Sequence, residues 1–377
     1  MLPLLTVVYA KPLDLPDLPY LYPLTKHQII TMCCLCDFSL TLPVEIIRML
    51  YYHFIRQVLL KQSVNNSLKG RITMDTKQNR LLIFGAGVIG SVYSLRFAQS
   101  GLDVTLLARG KRLESLKRNG LRYNDNGTIK QTSVKTIEKL ENEDIYDFIF
   151  VPVRYDQAES ALTAIKNNQS KTIVTLTNTI GYDTWLEIVG DRLLPGFPGA
   201  GGDIKEDVLY AEFGSEKHQG TIFGEIHGQT TERLKELAKI LEAADLHYEI
   251  QNNIQAFHVS HAALAIVNKH FYTNDGMVDI ETARSESTLS KVAADIKQNI
   301  RLVEQAGIPV IPPEMKVMGE WPESDIISSY RQMLSNDFII DVKLGNHAVS
   351  QKAEILLLDE LFHKKLSLAS DNQHERR

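Results

Sequence analysis

From residue 80 onward, short apolar runs alternate with helical periodicity. Arg80-Leu-Leu-Ile-Phe84 reads as a buried parallel strand. Val88, Val92, Leu95 and Ala98 then recur at helical spacing, and the pattern stops at Gly101. A second strand is predicted at 104–108 and a third within 146–153. Residues 156–165 form an amphipathic helix with Ala158, Ala161, Leu162 and Ile165 on one face. A fourth strand follows at 172–177, ending at Asn178-Thr-Ile-Gly181. Pro195 to Gly202 reads as a glycine-rich loop. Strand-like runs at 208–213 and 220–225 are expected in the outer part of the same sheet, with some strands antiparallel, before a helix at 231–244.

Beyond Asn253 the strand signals fade. Residues 254–267 are apolar and alanine-rich, and 286–306 carries Leu289, Val292, Ile296, Ile300 and Val303 at helical spacing. Further helices are predicted at 323–334 and 340–362. The fold class is therefore α/β: an N-terminal doubly wound sheet followed by an all-helical domain. The division expected is 1–73, 74–250 and 251–377, with a substrate cleft between the last two.

Residues 1–73 differ in texture. Five prolines crowd positions 3–23, and an apolar, aromatic stretch at 45–60 reads as a helix. All three cysteines, Cys33, Cys34 and Cys36, fall in this segment, with no convincing fourth ligand nearby except His27. No metal site is expected. A secretory signal fits poorly, because no Lys or Arg precedes the apolar start and Pro3 interrupts it. Lys69-Gly-Arg-Ile-Thr73 could be encoded by a purine-rich run suited to ribosome binding just before Met74. Translation beginning at Met74 is the resulting hypothesis, and the intact mass of the native product tests it.

The length of 377 residues suits two or three domains, and 23% charged residues suits a globular chain. No window of about 18 uncharged apolar residues occurs, so no membrane-spanning helix is expected. The net charge of −5 gives no reason to expect nucleic acid or an anionic membrane as partner.

Chemistry enters with Gly85-Ala86-Gly87-Val88-Ile89-Gly90, set between a strand and a helix in a βαβ unit. Gly85 suits a tight turn, Gly87 a close approach of backbone to pyrophosphate, and Gly90 helix-on-strand packing. Where an acidic residue would bond an NAD ribose, this chain has Arg109, with Lys111 and Arg112 beyond it. That cluster favours the 2′-phosphate of NADP, the alternative being a solvated helix start.

The run Gly85–Gly90, continued by Leu106-Leu-Ala-Arg-Gly-Lys-Arg-Leu-Glu-Ser-Leu-Lys-Arg-Asn-Gly-Leu-Arg122, closely resembles the start of the ketopantoate reductases. The resemblance covers about residues 78–365 and is strongest through residue 125. It implies a Rossmann domain, a helical domain similar to the C-terminal domain of 6-phosphogluconate dehydrogenase, and reduction of 2-dehydropantoate to pantoate with NADPH, a step of pantothenate biosynthesis. It implies that Arg109 binds the 2′-phosphate, that Asn178 sits beside nicotinamide and substrate, and that Arg154 stands where the family has a lysine near the cofactor. A cytoplasmic enzyme, with a homodimer as one assembly, accords with this. The family lysine that opens the first helix of the second domain is absent: Phe257-His-Val-Ser-His-Ala-Ala-Leu-Ala-Ile-Val-Asn268-Lys269 has none near Ser260 or His261. Asn268 is similar to the second of two family asparagines. Asp341 is nearest to the late acidic substrate residue but lies out of register.

Reducing a 2-oxo acid requires a hydride, a proton for the alkoxide, and a group to hold the carboxylate. Proton donors on the cleft helix are His258, His261 and Lys269, and His261 is selected, its bland alternative being a packed or surface histidine. Asn178 could hold the carbonyl or the nicotinamide amide, or be a turn asparagine; Arg154 could hold a carboxylate or the ribose. The other function class is a diverged NADP(H)-binding protein acting on another ketone or with little turnover, because the lysine is missing.

Overall fold

The computed structural model describes residues 79–213, 220–336, 340 and 344–374, all within the compact unit Met74–Arg377. The expected helix at 45–60, the cysteines and Asp341 lie outside the described residues.

The chain begins as its pattern predicts. β1 (Arg80–Phe84) turns through Gly85–Gly87 into α1 (Val88–Gln99), then β2 (Asp103–Leu107) and α2 (Gly110–Asn119). A hairpin, β3 (Leu121–Asp125) and β4 (Thr128–Thr132), closes on Asn126-Gly127, both at positive φ. Mirror-image turns of this kind match the twist of paired strands. Next come β5 (Lys135–Ile137), β6 (Phe148–Val151), α3 (Tyr155–Ala164), β7 (Ile173–Leu176), α4 (Asp183–Val189) and β8 (Leu193–Phe197). The Rossmann part ends with β9 (Ala200–Lys205), β10 (Val208–Phe213), β11 (Thr221–Phe223), α5 (Glu232–Ala243) and β12 (Tyr248–Ile250).

The main sheet runs β12-β11-β8-β7-β6-β1-β2-β5. From β5 to β8 the strands are parallel, and β11 joins β8 antiparallel. Alternation along each buried strand sends side chains to opposite faces. Leu81 and Ile83 pack with α1 and α5; Leu82 and Phe84 pack with α3 and α4. This double coverage explains why the strands read as continuous apolar runs.

Two expectations are corrected here. Pro195–Gly202 is not a loop: Leu193–Phe197 and Ala200–Lys205 are strands. Glycine at position 196 fits a close strand approach, since a Cβ there would lie a tight 3.1 Å from the carbonyl oxygens of both Ile222 and Thr175. Residues 208–213 do not extend the main sheet either. They pair in a second sheet, β4-β3-β10-β9, which covers the outer side of α1. That cover explains why α1 is buried nearly all round, down to Ser91 and Ser94.

The helical part comprises α6 (Ile254–Ala265), a 3₁₀ segment (Ile266–Phe271), α7 (Ile280–Arg284), α8 (Glu286–Gln305), α9 (Pro313–Glu320), α10 (Glu323–Met333) and α11 (Asn346–His374). The last helix therefore starts later and runs longer than the predicted 340–362. α6 has no polar face because it is enclosed. Ile254 and Phe257 face the sheet core, while Val259, Ala262 and Ala263 pack with Leu358 and Phe362 of α11. No described helix is long and apolar enough to cross a membrane.

Candidate active site

A cleft of about 600 Å³ opens at the carboxyl ends of β1 and β2. Its walls include Gly85, Ala86, Gly87, Arg109, Arg112 and Val153, with Gln157, Ser160 and Ala161 from α3. Gly90 must be glycine, because a Cβ there would overlap the carbonyl oxygen of Gly85. A Cβ at Gly87 would meet nothing within 4 Å, so backbone faces open space where a phosphate would sit. Gly87 is also the N-cap of α1 and offers no side-chain cap, leaving the helix N–H groups to a ligand. Val88 and Ile89 form the first turn of α1 behind this loop.

The flanking cations differ in placement. Arg112 is anchored: Nη2 donates to Ser91 Oγ at 3.1 Å and Nε to the Ala86 carbonyl at 3.4 Å, with Asp207 Oδ1 3.6 Å from Nη1. Burial lowers its pKa, partly countered by Asp207. Arg109 is exposed on the cleft wall and caps α2, whose first turn has no acidic residue. Cations in a helix first turn oppose the dipole, an arrangement that a bound anion would relieve. Lys111 is exposed and does not form part of the cleft wall. These residues fit a dinucleotide with a 2′-phosphate.

At the end of β7, half-buried Asn178 donates Nδ2–H to Glu354 Oε1 at 3.4 Å, while its buried Oδ1 has no hydrogen-bond partner. An unsatisfied buried carbonyl oxygen costs about 1–3 kcal/mol, so this atom is poised for a donor from a ligand. Glu354, in α11, is buried and also accepts the Tyr155 N–H at 3.0 Å. Burial pushes its carboxyl pKa up. Sequence reasoning missed Glu354 and looked instead to Asp341. An acidic residue in the apolar run Ala353–Leu358 was the available signal.

The candidate proton donors separate clearly. His258 is buried, and desolvation, then repulsion from His261, push it down to about 3. It is neutral and corrected as a donor. Lys269 is also corrected: it is held between Asp295 at 3.0 Å and Asp359 at 2.9 Å. His261 is half-buried, its ring 4.1 Å from that of Phe197 and stacked on Phe257. Leu176 of β7 is in register with Gly196 of β8. Asn178 and Phe197 thus leave neighbouring strand ends, which brings His261 to the same edge as Asn178. Asn268 lies half-buried in the 3₁₀ segment beyond α6. Arg154, just past β6, pairs with Asp156 at 2.9 Å.

The strand order β5-β2-β1-β6-β7-β8, the glycine turn at its centre and the appended helices define an NAD(P)-binding Rossmann protein with a helical second part. Residues 81–212 match the family model described as ketopantoate reductase PanE/ApbA. Over these residues, in the Rossmann part, the chain is similar to the ketopantoate reductase family. Among curated relatives, 2-dehydropantoate 2-reductase of Archaeoglobus fulgidus is 29% identical over 178 residues, covering 47% of this chain and 57% of that protein. The Lactococcus lactis 2-dehydropantoate 2-reductase is 26% identical over 301 residues, covering 73% and 91%. The matches span only 57% and 61% of the Archaeoglobus and Mesorhizobium japonicum relatives. The solved structure of 2-dehydropantoate 2-reductase from Geobacter metallireducens superposes with TM-score 0.58 at 18% identity, over 78% of this chain and 99% of that one. D-mandelate dehydrogenase with NADH and anilino(oxo)acetate gives 0.56 at 19%, over 77% and 99%. These two share the fold.

Proposed function

We propose that this protein reduces a 2-oxo acid with NADPH, 2-dehydropantoate to pantoate being the first candidate reaction. The observation that carries the reading is the continuity of one strand-end edge: a dinucleotide cleft at β1 and β2, then an orphaned Asn178 Oδ1 beside a buried Glu354 at β7. The names of the curated relatives support the same reaction.

Bound NADPH would supply hydride to the ketone carbon. The Gly85–Gly90 backbone and the α1 N-terminus hold the pyrophosphate, and Arg109 with Arg112 holds the 2′-phosphate. Asn178 accepts a donor at Oδ1, either the nicotinamide amide or a substrate hydroxyl. Glu354 fixes Asn178 through the Nδ2 bond and bonds substrate hydroxyl. His261 gives its proton to the developing alkoxide oxygen. Arg154 stands at the end of β6 to hold the ribose or a carboxylate. Asn268 is placed to support the substrate from the second part of the chain.

A second reading follows from one observation, the absence of a lysine near Ser260 or His261 in the helix where the family resemblance implies one. A diverged member would bind NADP(H) and act on another ketone, or turn over slowly. The two readings part in one assay: the full chain, NADPH and a panel of 2-oxo acids including ketopantoate, followed by loss of reduced nicotinamide. Turnover on ketopantoate supports the first. Tight NADPH binding with no turnover on any panel member rejects it in favour of the second.

A further inference from the structure

His258 is an ionisable group that the proposed reaction leaves unused, and its surroundings determine its chemical state. Nε2 lies 3.2 Å from the Gly196 carbonyl oxygen, which can only accept, so Nε2 carries the hydrogen. Nδ1 therefore accepts, and Tyr182 Oη donates to it at 2.5 Å. Burial holds the Tyr182 hydroxyl well above its ordinary pKa, which keeps that donor protonated. One imidazole thus joins three elements: the residue that opens α4, the middle of α6, and the last rung of β8.

We propose that His258 is a positioning residue, a neutral pin that fixes α6 on the carboxyl ends of β7 and β8 and so sets His261 against Phe197 on the edge shared with Asn178. The proposal rests on the functional reading above for its kinetic consequence. His258 and His261 are three residues apart, so they share a face of α6. Displacing that face moves His261 directly. Phe257 adds a second constraint, packing on both imidazoles with ring separations of 5.7 and 5.9 Å. Tyr182 starts the helix that follows the Asn178 loop, so the same bonds tie the two sides of the candidate site together.

The test uses the full chain with His258→Leu, His258→Gln and Tyr182→Phe. The Gln amide can still donate to Gly196 and accept from Tyr182. His258→Leu is expected to lower kcat with NADPH and ketopantoate by about 10- to 100-fold, the scale of a small misplacement of a reacting group. NADPH affinity, measured by fluorescence, should stay within about 2-fold, because the cofactor cleft lies at other strand ends. His258→Gln should recover most of kcat, and Tyr182→Phe should fall between. Nitrogen NMR of the imidazoles gives a readout that needs no turnover. His258 should show the Nε2–H form without titrating between about pH 5 and 8, and the His261 signals should move in the Leu variant but not in Gln. A folded His258→Leu protein with lowered Tm but unchanged kcat and unchanged His261 signals overturns the proposal. So does titration of His258 in that range. If the wild type reduces no 2-oxo acid, the functional reading fails, while the His261 signals still decide the positioning role. If His258→Leu does not fold, Tyr182→Phe and His258→Gln carry the same comparison.

Discussion

At the ends of β1 and β2 the cleft is walled by backbone and by Arg109 and Arg112; at the ends of β7 and β8, outside that cleft wall, the candidate site is a group of buried polar side chains delivered by distant elements. Gly85, Gly87, Gly90 and Arg109 are held by a single strand-turn-helix and the next strand. Asn178, Glu354 and His258 depend on β7, α11, α6 and α4 meeting correctly. The first arrangement tolerates divergence in the rest of the chain, since every part is local. The second is coupled: the Asn178 Nδ2–H, the Glu354 carboxyl and the His258 ring each find a partner only when a distant element arrives. Predictions follow from this contrast, the largest effect first.

Gly90→Ala should break the local end outright. Its Cβ would fall on the Gly85 carbonyl, and strain of ~3 kcal/mol corresponds to an NADPH affinity loss of about 100-fold. Near-normal NADPH affinity in a fluorescence titration would show that the turn can yield. Arg109→Ala should cost about 10- to 50-fold in NADPH affinity, the range for charge-assisted bonds, and leave NADH affinity nearly unchanged. Equal losses for both cofactors would contradict a 2′-phosphate role.

Glu354→Gln probes the coupled end. The folded protein holds this carboxyl above its ordinary 4.5 through burial, so the native state binds the proton more tightly than the unfolded chain. Its contribution is full below pH 4.5 and is lost as pH rises through the raised native value. Folding is therefore favoured less by this group at neutral pH than at low pH. The Gln variant, which keeps an acceptor for Tyr155 and Asn178, should therefore raise Tm by on the order of 1–2 °C at neutral pH while losing turnover. That gain should vanish at low pH, and a lower Tm at neutral pH would refute this account of Glu354. Lys111→Ala should have the smallest effect, under about 2-fold on NADPH affinity, since screened surface charge is worth little.

The same contrast explains what the sequence reveals. The β1–α1–β2 unit and its glycines are legible because strand, turn and helix are contiguous and each glycine has a local cause. Arg109 and Arg112 reach the cleft wall as expected, yet nothing in the sequence distinguishes Lys111 from them, because helix rotation decides which of three neighbouring cations faces inward. The β3–β4 hairpin carried a usable signal in Asn126-Gly127. Pro195–Gly202 misleads because its glycines reflect close strand approach and not a flexible loop. Glu354 sits in the short apolar run Ala353–Leu358, 176 residues from Asn178, a pairing no local pattern encodes. His258 and His261 look alike in sequence, and only burial against Tyr182 and Gly196 separates the neutral pin from the candidate acid.

Steady-state NADPH oxidation by the full chain with ketopantoate, comparing wild type with His261→Ala, tests the central claim most directly. The account predicts turnover that falls by about 100-fold or more in the variant, from the lower end of the range for loss of a general acid upward, with NADPH affinity retained. Wild-type turnover that survives His261→Ala undiminished would contradict it.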